Sequence, residues 1–204
     1  MLNRTKYFRK LCLSGSFLVG LISLSSTANA QFIGINADVA IDYSAAPGSV
    51  SGYSVGISHP APFIPNIGYS SVSFKDKETI GSDNDTSSVL LETATTIKTI
   101  NLFYNVPFPV VTITVGFGLG GVETKTTIKE NTDAQDRSDL KTSVSEAFFH
   151  IGLPFWNTVE FHLGHHLMSF TSIDITKGVT LSGNYTTDKN YSGGMTTIGV
   201  QVAF

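Results

Sequence analysis

Along most of this chain, apolar side chains recur at every second position, with small or polar ones between them. Ile33, Ile35, Ala37, Val39 and Ile41 alternate with Gly34, Asn36, Asp38, Ala40 and Asp42. Tyr53, Val55 and Ile57 alternate with Gly52, Ser54 and Gly56, and Val111, Ile113, Val115, Phe117 and Leu119 with Thr112, Thr114, Gly116 and Gly118. Val159, Phe161, Leu163 and Leu167 oppose Glu160, His162, Gly164 and His166. The pattern runs to the last residue, where Ile198, Val200, Val202 and Phe204 alternate with Thr197, Gly199, Gln201 and Ala203. A period of two is the mark of a strand whose two faces meet different surroundings. A chain written this way folds as sheet, and every strand edge must find a partner or water.

Three short segments interrupt the alternation, and each carries proline beside an aromatic residue. They are His59-Pro60-Ala61-Pro62-Phe63-Ile64-Pro65-Asn66, Asn105-Val106-Pro107-Phe108-Pro109 and Gly152-Leu153-Pro154-Phe155-Trp156-Asn157. Proline has no N–H to give a ladder, so these are predicted as turns. Longer hydrophilic tracts at 75–88, 125–141 and 171–192 are predicted as loops, with a short one at 45–49. The strands between are about 32–44, 50–58, 67–76, 88–105, 110–124, 140–153, 157–170 and 190–204. Strands three and four alternate less cleanly than the others.

The first 30 residues read differently. Arg4, Lys6, Arg9 and Lys10 precede an apolar stretch of 14 residues, and Ala28-Asn29-Ala30 has the small-x-small pattern of a signal-peptidase site. This predicts a signal peptide over 1–30, removed to leave a mature domain of 31–204. A membrane-spanning helix needs roughly 20 apolar residues, and no stretch after residue 30 approaches that length. Cys12 leaves with the signal peptide, so thiolate and disulfide chemistry are excluded from the mature chain. Removing four of 13 basic residues leaves nine against 16 acidic ones, a net charge of −7 that argues against nucleic acid as a partner. An exported chain of strands can cross a membrane only as a closed barrel, because closure satisfies every edge N–H and C=O in lipid. The predicted fold is therefore all-β: a single eight-stranded antiparallel transmembrane up-and-down β-barrel. Its apolar positions face lipid and its polar or small positions face the lumen. A soluble β-sandwich also alternates, but it does not account for a signal peptide together with turns short on one side and loops long on the other.

The terminal set Ile198, Val200, Val202 and Phe204 resembles the assembly signal of bacterial outer-membrane barrels. The whole strand grammar is similar to that of the small eight-stranded barrels of the OmpA, OmpX and OmpW type. The segment 59–66 also resembles the first turn of a family of uncharacterised small outer-membrane barrels. These resemblances imply a bacterial outer-membrane location with both termini periplasmic, and an inner girdle formed by the aromatic turn residues. As partners they imply outer-membrane lipids and lipopolysaccharide, the barrel assembly machinery, and an extracellular ligand met through the loops. They imply no cofactor.

Two constellations bear on chemistry. Folding strands six and seven about the turn near Pro154 brings the inward Glu146 near His166, and His150 near Glu160 or His162. Two carboxylates and three imidazoles in a narrow lumen can hold a transition metal or relay protons. No tight ligand spacing marks a metal site, and the expected role is an ionic, hydrogen-bonded plug. The second set faces outward: the same pairing places His165 across from Ser145, with Glu123 at the top of strand five. Some outer-membrane lipid-modifying enzymes carry a Ser-His-acid set on the barrel's outer face. The His-x-Ser pairing of lipid A deacylases is missing here, and a polar band at the membrane interface is the plainer account. The run Gly116-Phe117-Gly118-Leu119-Gly120-Gly121 lies within a strand with no helix to follow. It is therefore not a phosphate loop, and it suits a tightly curved barrel. Asp83-Asn84-Asp85 lacks calcium-loop spacing.

Eight strands enclose an interior that side chains just fill, which excludes a wide porin-like channel. The expected function is a non-enzymatic structural or surface-interaction role, in envelope integrity, adhesion or loop-mediated binding, with no catalytic, cofactor or metal residues. A narrow channel for small or apolar solutes, and a lipid A or phospholipid hydrolase using Ser145 and His165, stand as the alternatives.

Overall fold

The computed structural model describes residues 33–61, 63–81, 88–130, 133–156, 158–174 and 188–204. The predicted signal peptide, Cys12 and Asp83-Asn84-Asp85 lie outside the described residues. The strands are β1 (Gly34–Tyr43), β2 (Val50–Ser58), β3 (Asn66–Gly81), β4 (Ser88–Pro107), β5 (Thr112–Glu130), β6 (Asp133–Trp156), β7 (Val159–Phe170), β8 (Ile173–Asp174), β9 (Asp188–Lys189) and β10 (Gly193–Ala203). β1 to β7 and β10 close into one antiparallel barrel in which each strand pairs with its sequence neighbour and β10 returns to β1. The predicted eight-stranded up-and-down barrel is thus the observed fold. The additional ribbon of β8 and β9 forms within the tract expected to be loop at 171–192.

The three proline-containing turns and the two ends of the barrel lie at the same end. Phe204 N donates to Ile33 O at 2.8 Å, and Ala203 N donates to Thr158 O at 2.9 Å in the β6–β7 turn. The turn at 59–65 is held by its own side chains. The backbone N–H of His59 donates to Asn66 Oδ1, and the N–H of Ala61 donates to His59 Nδ1. Pro154 is a strand rung beside a bulge, ahead of the final Trp156–Val159 rung, rather than a turn residue, which suits a residue that has no N–H to donate.

Four strands have spanning length: β1, β2, β7 and β10 contain 10, 9, 12 and 11 residues, against the roughly 9–11 that cross a bilayer. β3 to β6 have 16, 20, 19 and 24. The tracts 75–88 and 125–141, expected as loops, are therefore largely ladder, paired up to Gly81↔Ser88 and Glu130↔Asp133. Their polarity misleads because these rungs rise beyond the membrane. There an outward Thr or Lys sits in water, and threonine is a good strand former. Cross-strand ion pairs of Lys77 and Lys129 with Glu92, at 2.9 and 3.4 Å, line this outer surface.

The two faces of the barrel exchange character at one level. Near the turns the outward side chains are apolar and exposed, among them Ile35, Ile57, Ile67, Ile100, Leu119, Ile151, Leu163 and Ile198, and the inward ones are mostly polar, with Phe103 and Phe148 among them. One or two rungs higher, the outward residues become Ser73, Lys98, Glu123, Lys141 and Thr196, while the inward ones become Phe74, Ile97, Val122, Val144 and Met195. The expectation of a polar lumen throughout fails in this upper part, which carries a packed apolar core that includes Tyr43, Val72, Leu91, Met168, Phe170, Ile173 and Tyr191. Once water replaces lipid outside, the hydrophobic effect turns the apolar set inward.

Candidate functional site

Below the apolar core the lumen holds the predicted cluster together with one acid that sequence reasoning missed. Glu146 and His150 come from β6, Glu160, His162 and His166 from β7, and Asp38 from β1. Glu146, His150, His166, His162 and Asp38 are all buried. Glu146 Oε2 accepts the Thr99 hydroxyl at 2.5 Å, and Glu146 Oε1 lies 2.5 Å from His166 Nδ1. His166 Nε2 lies 3.0 Å from His150 Nε2. His162 Nε2 lies 2.8 Å from Glu160 Oε1, and the other Glu160 oxygen accepts the Thr112 hydroxyl at 2.5 Å. Asp38 Oδ2 accepts from Ser54 at 3.4 Å, while its Oδ1 faces His162 Nδ1 at 3.7 Å, beyond hydrogen-bond reach.

Glycine opposite each large group makes this density attainable. Asp38 pairs with Gly199, and Gly199 pairs with His162, so the row across β1, β10 and β7 has no side chain in its middle. A Cβ on Gly199 would overlap the Asp38 carboxylate, and one on Gly164 would sit 2.6 Å from His150 Cδ2. On β5, a Cβ at Gly116 would enter the Phe148 ring, which itself stacks on His166 at 4.9 Å and 17°. The inward glycines of the 116–121 run therefore make room for lumen side chains, a different role from the curvature expected.

Among the described residues, no Lys or Arg is buried in the lumen. Its carboxylates are balanced only by imidazoles and hydroxyls. The cluster can serve as a plug, as a proton chain from Glu146 through His166 to His150, or as a ligand set.

The outward constellation does not assemble. Ser145 pairs with Ser169, whose carbonyl accepts its hydroxyl at 3.4 Å, whereas His165 stands across from Phe149, four residues lower. Glu123 instead contacts Lys98 and Lys141, at 3.8 and 3.5 Å. The predicted Ser145–His165 pairing is corrected by this register. The sequence placed the hairpin by its proline turn, whereas the strand runs on to Trp156 with a bulge, which shifts every rung above it. The exposed outer surface of β3 to β6 carries Lys98 and Lys141 with Glu123 just above the apolar belt, and Lys75, Lys125, Lys77 and Lys129 with Glu92 higher on the wall, a basic stripe on an acidic chain.

No family model matches the sequence, and no curated protein matches it. Among solved structures the chain is similar to neisserial surface protein A, with 14% identity, a TM-score of 0.46 and coverage of 84% of this chain and 96% of that one. It is similar to the N-terminal β-barrel domain of OprF from Pseudomonas aeruginosa, with 13% identity, a TM-score of 0.43 and coverage of 84% and 96%. It is also similar to a major outer membrane protein of Thermus thermophilus, with 10% identity, a TM-score of 0.47 and coverage of 84% and 98%. The closed eight-stranded antiparallel sheet, apolar outside and polar inside near the turns, is the architecture of the small outer-membrane β-barrels.

Proposed function

We propose that the chain is a bacterial outer-membrane barrel whose work is done by its outer surface. It grips the lipopolysaccharide leaflet and presents the raised β3–β6 wall to the exterior, with both ends on the periplasmic side and the β10 terminus taken up by the assembly machinery. The observation that carries this reading is the filled interior. Side chains pack from the Glu146–His166 level up through the Met195 and Tyr43 levels, so the lumen favours a plug over a channel. The basic stripe supports the lipid part of the reading, since lysines just above the hydrocarbon meet the phosphates of lipopolysaccharide. The Ser145 and His165 register lends no support to a hydrolase.

The experiment compares outer-membrane permeability to a hydrophobic dye in a strain lacking the protein, complemented with wild type or with a Lys98→Glu, Lys141→Glu double variant. Wild type is expected to restore the barrier and the double variant to restore it incompletely at equal folded protein. Full restoration by the variant refutes the lipid-gripping role. Discrete conductance of wild-type barrels in a planar bilayer refutes the plug and favours the channel.

A further inference from the structure

Eight buried side-chain polar atoms have no hydrogen-bond partner among the described residues, and three of them belong to one group of lumen residues: Asp38 Oδ1, His150 Nδ1 and His162 Nδ1. Ligand atoms of these three residues all lie within 4.8 Å of one another. We propose that Asp38, His150 and His162 form a binding site for a divalent transition-metal ion, of the Zn²⁺ class, inside the barrel.

Hydrogen bonding elsewhere in the cluster sets the chemistry of the three atoms. With the Nδ1–H of His166 given to Glu146, His166 Nε2 is free to accept the Nε2–H of His150. That leaves His150 Nδ1 as a bare lone pair. With Glu160 accepting the Nε2–H of His162, a metal ion would take His162 Nδ1 in place of the proton that pairs this nitrogen with Asp38 in the charged imidazole. Asp38 Oδ1 is a third acceptor, held by the Ser54 bond on its other oxygen. With both imidazoles neutral the three groups offer only acceptors to one another, and a cation removes that conflict.

The surroundings match what a metal centre requires. Two imidazoles and a carboxylate suit zinc and its first-row neighbours, with a coordination position left for water. Each imidazole presents one nitrogen to the site and gives the other to a partner, His162 directly to a carboxylate and His150 through His166 to Glu146. Such outer partners fix the tautomer and orientation of metal-bound histidines. Gly199 and Gly164 stand beside the ligands, where a methyl group would displace Asp38 or His150. Glu160, bonded to His162, has the more exposed side chain of the two and lies towards the turn end of the barrel. The proposal does not depend on what the outer surface binds.

The test uses the protein purified in detergent in its folded, heat-modifiable form and stripped with chelator. Titration with Co²⁺ followed by visible absorption, and with Zn²⁺ by calorimetry, is expected to give one site per chain. Asp38→Asn and His162→Gln are expected to weaken it at least 100-fold. His165→Ala and His59→Gln, which change imidazoles outside the lumen cluster, are expected to leave it intact. Where a lumen variant does not fold, ¹⁵N-histidine spectra of the wild type decide. Zn²⁺ should move the Nδ1 resonances of His150 and His162 and leave that of His165 in place. Absence of a stoichiometric site, loss of it on His165→Ala, or spectra in which both nitrogens of His162 stay protonated at saturating Zn²⁺ overturns the proposal and leaves an ion-paired plug.

Discussion

Replacing Glu146 by alanine tests whether the lumen cluster is a stabilising plug. The carboxylate is fully buried, and it receives the Thr99 hydroxyl and meets His166 Nδ1, each at 2.5 Å. Alanine leaves both donors without an acceptor in a site that water does not reach. Breaking a buried pair by removing one partner costs about 3–5 kcal/mol, which is large beside a total stability on the order of 5–15 kcal/mol. Glu146→Gln keeps one acceptor and turns the other contact into two opposed donors, so its cost is about 1–3 kcal/mol. Glu123→Ala is the control, because its pairs with Lys98 and Lys141 are half exposed and longer, which limits the loss to under about 1 kcal/mol.

The assay is reversible urea unfolding in lipid vesicles, followed by the gel mobility of the folded form. With a urea slope of about 2 kcal/mol per molar, Glu146→Ala should lower the midpoint by about 1.5–2.5 M, with Glu146→Gln intermediate. If the Glu146→Ala midpoint falls no further than that of Glu123→Ala, the buried carboxylate does not stabilise the barrel and the cluster is not a stabilising plug.

Gly116→Ala drives a methyl into the Phe148 ring, whereas Gly121→Ala meets only Thr142 O at 3.7 Å; the first should cost about 1–3 kcal/mol and the second nearly nothing in the same urea assay. Lys189, at 3.2 Å from Asp76 and 2.5 Å from Glu78, pins the β8–β9 ribbon to β3. Burial alone would lower its pKa, but the hydrogen bonds to Glu78 and Asp76 reverse this and hold it above the usual lysine value. Its contribution is therefore full at neutral pH and lost as pH rises through that raised value. Amide-exchange protection at Ile173 and Tyr191 should stay flat to about pH 10, fall above it, and be low at all pH values in Lys189→Ala. Phe204 is exposed and tied to the barrel through its backbone N–H. Phe204→Ser should then leave the unfolding free energy within about 0.5 kcal/mol of wild type while slowing assembly in cells; normal assembly would refute its reading as a signal.

Strand number, antiparallel closure and the sidedness of the turns were legible because all three follow from local chemistry. Period-two alternation makes strands, proline ends them, and edges in lipid require closure. The height of the wall was not legible, because the rule applied to it assumed a single outside solvent. In the tract 88–105 the inward residues run Val89, Leu91, Thr93, Thr95, Ile97, Thr99 and Asn101. Reading apolar as lipid-facing makes that strand look irregular. It is regular once the outside changes from water to lipid near Lys98, and the lapse in alternation marks the membrane surface.

The site divides along the same physical line. Glu146 with His166 could be read from the sequence because one hairpin joins them, and their separation depends only on the β6–β7 turn. Ser145 with His165 relied on that same turn at single-residue precision, and the hairpin turns beyond Trp156 rather than about Pro154, which puts Ser169 opposite Ser145. Asp38 with His162 could not be read from any turn: the two residues are far apart in the chain and become neighbours only because β10 closes on β1 through Gly199. Closure carries no local signal beyond the demand that it occur. Its register follows from packing, and here the inward glycine between an acid and a histidine settles it. A bulkier residue at position 199 would keep Asp38 away from His162. A Cβ there would meet the Ala37 carbonyl of the paired strand as well as the Asp38 carboxylate, so Gly199→Ala is expected to abolish metal binding and to lower barrel stability together, and wild-type zinc affinity in this variant would refute the arrangement.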